Sequence, residues 1–388
     1  MSQVSQARQT GQRKAGLESC AGGAAFYSKF THDPVGVLPR RWLPFASYGL
    51  IGKSRGLVSR LACGAIARLC RLSMTLVRIV KSWDKPDLLR QTPGGAGVWN
   101  DIRFTLDPVG RCDYLVILNR TPLPLLIEVP PENIWCFIQE PPLPANRHFE
   151  KGFRHFHRVF TQDPRLRGPR CIQAHGSLPW LVDRTYDQLA AMPWPVKTRD
   201  LVWITSDAGS SEGQRQRLQF LERLRVSGPS FDLFGRGFTP VPDKWDALAP
   251  SRYALAVENC GSADYWTEKV ADCFLAGAMP IYFGATNLAA WFPAESFVWL
   301  DINDPAAPRR VAEIVRSPLA EKQRAAVAEA RRRVLDEHNL FPRIAGLIAA
   351  DRTGRTAPAL PQAIAIPGLR ESSVPVRAIA RLGRLWRK

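Results

Sequence analysis

The chain has 388 residues, 45% of them apolar and 10% aromatic, enough for two domains with sizeable cores at about 150 residues per domain. That excludes a disordered or disulfide-stapled chain. Its formal charge of +18, from 53 Lys and Arg against 35 Asp and Glu, points towards a nucleic-acid or membrane-surface protein if read as a single figure.

The charge is not evenly spread. Residues 1–73 hold 11 basic and two acidic residues, and 370–388 hold six basic and one acidic. The intervening body, with 36 basic and 32 acidic residues, is close to neutral. Residues 1–73 are Arg-rich and acid-poor like a transit peptide, but lack a clean apolar region followed by a small-residue cleavage site. They are expected to be a disordered or spurious extension, with Met74 as the functional start. No apolar run reaches the roughly 18 residues of a membrane helix. The best stretches, 42–52 and 61–67, are bounded by Arg41, Lys53, Arg60 and Arg68.

From Met74 the character changes. The runs at 74–84, 113–119, 133–142 and 158–164 read as short buried strands ending in polar or Pro-bearing loops, a spacing that favours a parallel sheet with crossover helices. These define an N-terminal domain over 74–185. Residues 186–200, with two prolines and no period, are expected to be the linker. A second α/β set occupies 201–351: strands at 201–207, 231–235, 253–259 and 279–284, and helices at about 213–226, 268–276, 306–316 and 319–337, closed by 341–351. Residues 352–373 read as a loose Pro/Ala-rich tether within the 352–388 tail. In the tail, 374–388 places Val376, Ile379, Leu382 and Trp386 on one helical face and Arg377, Arg381, Arg384 and Lys388 elsewhere. That pattern suits peripheral contact with an anionic membrane, a solvated basic tail or an ordinary docking helix.

Eight Cys without a C-x-x-C pair imply reduced thiols and a cytoplasmic protein. Cys260 reads as a strand-end filler. His148, His155 and His157 fit no standard zinc spacing, so no metal site is expected. The sequence "GSSEG" (209–213) satisfies G-x-S-x-G between a strand and a helix, which would make Ser211 a hydrolase nucleophile, with His338 as its sole downstream His. A nucleic-acid module would need basic residues interleaved with aromatics, which the near-neutral body does not offer.

The densest chemistry lies in 253–301. A buried strand ends in Glu258-Asn259, and a Gly-bearing loop leads to Thr267, a candidate N-cap with Glu268 and Lys269 in the first helical turn. Polar groups at a strand's carboxyl end facing a helix N-terminus form the ligand crevice of an open α/β sheet, suited to a phosphate. Taken alone, T-E-K is also an ordinary capped, solvated helix start.

The whole segment, "YALAVEN", "DYWTEK", "GAMPIYFG", "WFP" and "SFV" in order and spacing, resembles the donor-binding signature of glycosyltransferase family 10, the α-1,3/4-fucosyltransferases, in its bacterial type. A weaker resemblance extends over 74–345, including "ENIWCFIQEPP" and "FDLFGRGF". It implies an α/β GT-B architecture, two Rossmann-like domains facing a central cleft, with GDP-fucose in the C-terminal one and a glycan acceptor facing the N-terminal one. The implied reaction is inverting and needs no metal or other cofactor. By the resemblance Glu140 in "FIQEPP" is the catalytic base, while Arg217, Glu258, Asn259, Tyr265, Glu268 and Lys269 bind the donor. Arg215 competes with Arg217 if the helix register differs. The expected enzyme is a cytoplasmic fucosyltransferase, with peripheral contact on the inner membrane face through 374–388 as a further expectation. The open alternatives are another GDP-sugar as donor, a basic membrane- or nucleic-acid-binding protein, and the Ser211 hydrolase.

Overall fold

The structure, a computed structural model, describes residues 74–84, 86–356 and 359–368. The expected extension over 1–73 and the tail helix at 374–388 lie outside the described residues.

The N-terminal domain is built on a seven-stranded sheet. Its strands are β1 (Thr75–Val80), β2 (Val98–Trp99), β3 (Ile102–Thr105), β4 (Tyr114–Leu118), β6 (Ile134–Phe137), β7 (Arg158–Thr161) and β8 (Cys171–Gln173), in the order β2-β3-β1-β4-β6-β7-β8. All neighbours are parallel except the short β2–β3 pair. The strand β5 (Leu125–Val129) lies outside this sheet.

The sequence of β4 explains its central place. Tyr114, Val116 and Leu118 enter one core, Leu115 and Ile117 the other, as a two-residue period requires of a strand covered on both faces. The covering differs from the expected crossover helices. One face is closed by a short ribbon and by the 3₁₀ segment Pro144–His155, which contributes Phe149. Pro141, Pro142 and Pro144 crowd that connection, and proline's missing N–H and fixed φ disfavour an α-helix there.

The C-terminal domain carries a five-stranded, all-parallel sheet: β9 (Arg199–Ile204), β10 (Asp232–Phe234), β11 (Ser251–Val257), β12 (Met279–Phe283) and β13 (Val298–Trp299). Their order, β10-β9-β11-β12-β13, is the doubly wound 2-1-3-4-5 pattern, with its topological switch point between β9 and β11. The helices are α1 (Tyr186–Ala191), α2 (Glu212–Ser227), α3 (Lys244–Leu248), α4 (Glu268–Leu275), α5 (Ala307–Arg316), α6 (Glu321–Arg333) and α7 (Leu340–Thr353). Two parallel α/β domains facing a cleft are the GT-B arrangement expected from the sequence.

Three segments fall differently from the expected boundaries. Trp180 and Val182, read as N-terminal, are buried in the C-terminal core, and the linker holds α1, whose Leu189 joins the same core. Helix α7, read as closing the C-terminal body, crosses back: Leu340, Phe341, Ile344 and Ile348 cover the N-terminal sheet. Within the stretch expected as a tether, Gln362–Ile366 form a strand, β14, that pairs antiparallel with β5 and buries Ile366 in the second N-terminal core. The alternation of QAIAI is what a half-buried strand needs. The chain therefore passes between the domains twice, over 174–182 and 334–340.

Candidate active site

Strand β11 ends at Val257 and places Glu258 and Asn259 at the switch point. Glu258 is fully buried. Its Oε1 accepts the Thr267 N–H at 2.8 Å and the Thr267 hydroxyl at 2.7 Å, and its Oε2 lies 3.0 Å from Lys269 Nζ. Thr267 caps α4, taking the Lys269 N–H at 3.3 Å. The expected donor contact Glu258 is therefore placed beneath the pocket wall, where it holds the first turn of α4 instead of facing a ligand.

Five charges, counting Glu258, interlock around that turn. Lys269 also lies 3.7 Å from Glu268, and Lys244 from α3 lies 3.6 Å from Glu268 and 3.0 Å from Asp272. Burial disfavours the charged carboxyl of Glu268, but Lys269 and Lys244 outweigh it and bring its pKa down to about 2. Burial likewise opposes the Lys269 cation, yet Glu258 and Glu268 hold its pKa above the ordinary lysine value. For Glu258, burial dominates the opposing Lys269 and raises the pKa. An ammonium fixed at a helix N-terminus, at the positive end of the helix dipole, is suited to an anion.

Helix α2 meets the same point from β9. Arg217 is buried, donates from Nη1 to Asn259 Oδ1 at 2.9 Å, and keeps its Nε without a partner among the described residues. Of the two arginines weighed, Arg215 turns to the carbonyls of Gly209 and Ser210. The close approach depends on Gly213, where a Cβ would lie 1.7 Å from the Asn259 carbonyl oxygen.

The N-terminal domain supplies the facing wall. A cavity of about 300 Å³ is lined by Trp83, Asn119, Gln139 and Glu140, which follow β1, β4 and β6. Across it stand Asn259, Tyr265, Thr267, Glu268 and Lys269. Leu178, Pro179 and Leu181 of the first crossing close one side. Asn119, at φ +64°, is held in this uncommon backbone conformation while its Oδ1 accepts the Gln139 N–H at 2.7 Å. The structure thus brings Glu140 into one cavity with Asn259, Tyr265, Glu268 and Lys269, with Arg217 one contact behind. Sequence reading did not single out Trp83, Asn119 or Gln139; only their places just past strand ends could have marked them.

A larger cavity, about 580 Å³, opens at the amino ends of β6 and β7, beside the end of α7. Arg158 and Arg355 line it, but both are paired to Asp351, at 2.6 and 2.5 Å. None of the candidate residues reaches it.

The hydrolase reading is corrected. Ser211 is the N-cap of α2, in a reciprocal capping box with Gln214. His338 is packed among Trp266, Trp291 and Phe292, with Nε2 3.1 Å from the Trp291 carbonyl. Burial and the Glu258 charge push the Cys260 thiol up to about 12. Among the described residues there is no group of three or more His, Cys, Asp or Glu placed to hold a metal ion, and no helix is long and apolar enough to cross a membrane.

Residues 194–325 match the model of the family described as glycosyltransferase family 10 (fucosyltransferase), C-terminal part. Among curated proteins the chain is 32% identical to a "Putative fucosyltransferase-like protein" of Arabidopsis thaliana over 28% of this chain and 22% of that one. It is 26% identical to "GDP-fucose protein O-fucosyltransferase 3" of Xenopus tropicalis, over 47% of this chain and 41% of the relative. The chain thus spans less than half the length of these relatives. Among solved structures it is similar to "Crystal Structure of alpha1,3-Fucosyltransferase with GDP-fucose", at 15% identity, covering 81% of this chain and 90% of that one with a TM-score of 0.38.

Proposed function

We propose, from the match of residues 194–325 to that family model, that this chain is an inverting glycosyltransferase. It moves fucose from GDP-fucose to a hydroxyl of a glycan acceptor, in α-1,3 or α-1,4 linkage. The observation that carries this reading is the single cavity joining Glu140 to Glu268 and Lys269 across the domains.

The chemistry assigns each group a task. Glu140 takes the proton of the acceptor hydroxyl as its oxygen attacks the anomeric carbon, and the bond to the diphosphate breaks with its electron pair leaving on phosphate oxygen. Lys269, the α4 N–H groups and Arg217 stabilise that developing charge. A guanidinium already oriented by Asn259, with an unpartnered Nε, loses little freedom in binding phosphate. Tyr265, Asn259 and Glu268 line the donor side, Glu268 as acceptor for sugar hydroxyls. Two titratable carboxylates on opposite walls, one held ionised by lysines, suit separate roles.

Calorimetry with GDP, GDP-fucose, GDP-mannose and UDP-sugars, followed by turnover on N-acetyllactosamine, tests the proposal. Binding of GDP and GDP-fucose with turnover is expected; binding of none refutes the enzyme reading, and preference for GDP-mannose transfers it to another GDP-sugar. The same reading makes the protein cytoplasmic, with residues 374–388 giving peripheral membrane contact. Deleting 370–388 should then abolish binding to anionic vesicles while keeping turnover of soluble substrate.

A further inference from the structure

The two crossings between the domains meet in an aromatic cluster that the proposed reaction does not use. His175 of the first crossing is fully buried and stacks on Trp266, ring centroids 4.6 Å apart at 25°. His338 of the second crossing lies 5.8 Å from His175 and 6.1 Å from Trp266, while Trp291 packs edge-on against His175 at 4.6 Å. Trp266 is itself the residue between Tyr265 and Thr267, so its two chain neighbours line the cavity while its own ring faces the crossings.

The other side of His175 leads to the N-terminal wall. The Ser177 N–H donates to His175 Nδ1 at 3.2 Å, and Gln139 Nε2 donates to the Ser177 carbonyl at 3.2 Å. Ser177 has φ +50°, a conformation a non-glycine residue keeps only where its surroundings over-determine it. Gly176 presses on the same strand end, its position for a Cβ lying 3.0 Å from the Ile138 carbonyl oxygen and 3.1 Å from Gln139 Cα. With Nδ1 accepting, His175 is the neutral tautomer protonated on Nε2. Burial, with Arg343 and His338 adding to it, keeps its pKa well below the usual value.

We propose that His175 is a positioning residue that couples the Gln139–Glu140 strand end to the donor loop, through its hydrogen bond to Ser177 on one side and its stack on Trp266 on the other. The inference rests on the transferase reading for its functional meaning. Its physical content is a contiguous link from Gln139 through Ser177 and His175 to Trp266. From there Thr267 carries it to Glu258 and Lys269. Apart from the Trp266–Thr267 peptide bond, each step is a packed ring or a hydrogen bond, and together they hold the two walls of the cavity in one register. The two links separate by substitution: His175→Phe keeps a ring against Trp266 but loses the Nδ1 acceptor, and His175→Ala loses both.

The test uses the full chain, with thermal melts to show that each variant is folded. Amide exchange of Thr267, whose N–H is bonded to buried Glu258, is read first without any ligand. In His175→Ala it should accelerate by about 2- to 30-fold, the range of energetic coupling along such networks, and in His175→Phe it should stay near wild type. With donor and acceptor, His175→Ala should weaken GDP binding and lower kcat, while His175→Phe lowers kcat at nearly unchanged GDP affinity. Gln139→Ala combined with His175→Phe should cost no more kcat than either alone. Unchanged Thr267 exchange in His175→Ala, or additive effects of Gln139→Ala and His175→Phe on kcat, overturns the coupling. Failure of wild type to bind GDP refutes the transferase reading instead, while the exchange measurement still decides the link.

Discussion

Replacing Glu258 by Gln should loosen the first turn of α4 and weaken the grip on a diphosphate together. The carboxylate is fully buried and takes three hydrogen bonds, two from Thr267 and one from Lys269. The amide keeps the shape and one acceptor, which can still serve Thr267, but it turns a donor or a neutral oxygen towards Lys269. Removing one partner of a buried pair costs about 3–5 kcal/mol. The lower end applies here, because Lys269 keeps Glu268 at 3.7 Å and the Thr267 hydroxyl at 3.1 Å. For a cooperative unit of this domain's size a loss of about 3 kcal/mol lowers Tm by about 6–12 °C. Urea midpoints and calorimetry with GDP on Glu258→Gln, Lys269→Met and the double variant form the assay. The double variant removes both charges and should recover most of the stability without recovering GDP affinity. A single variant with wild-type midpoint and GDP affinity would refute the claim that Glu258 holds Lys269 in place.

Glu140→Gln should lower transfer by about 10²- to 10⁴-fold, the range for loss of a general base, with GDP affinity measured by calorimetry unchanged. Gly213→Ala reverses the usual gain from alanine in a helix: its Cβ would meet the Asn259 carbonyl at 1.7 Å, so a lower Tm, by the equivalent of about 1–3 kcal/mol, and weaker GDP binding are expected. The folded-state pKa of Glu268, about 2 against an ordinary 4.5, lies below the unfolded value. Its contribution is thus present above pH 4.5 and lost as pH falls towards 2, about 3 kcal/mol in all. Glu268→Gln should flatten the stability profile in that window, as urea midpoints between pH 5 and pH 2.5 will show.

The longer strands of the C-terminal domain were legible because each is an apolar run between polar turns, and because the run that ends in Glu258-Asn259 leads into a motif-bearing helix start, whereas the five-residue α3 and the two-residue β13 were not read. What could not be read is which core a segment joins. Helix α7 is apolar on nearly all sides, a pattern that announces burial without naming the partner, and its partner is the sheet about 200 residues earlier. Strand β14 is five residues in a Pro- and Ala-rich stretch, where composition masked the alternation of Ile364 and Ile366. At the site, residue types and spacing marked the T-E-K turn, and the family resemblance pointed to Glu140 and Arg217. They could not show that Glu258 lies beneath the pocket, since a carboxylate at a strand end reads the same whether it turns outward or under the next helix. The meeting of His175 with Trp266 and His338 joins residues about 70 to 160 positions apart and leaves no local trace.

The return of α7 and β14 onto the first sheet makes the N-terminal domain discontinuous in sequence, with the donor domain inserted between its parts. During synthesis its cores stay open until residue 366 has left the ribosome, whereas the donor domain can close as soon as α6 is complete. An exchange of C-terminal domains with a relative should therefore be cut as an internal cassette, before Trp180 and after Leu335, which both belong to that core, and not as a C-terminal half. A simple head-to-tail fusion would strip Leu340, Phe341, Ile344 and Ile348 from the sheet they cover.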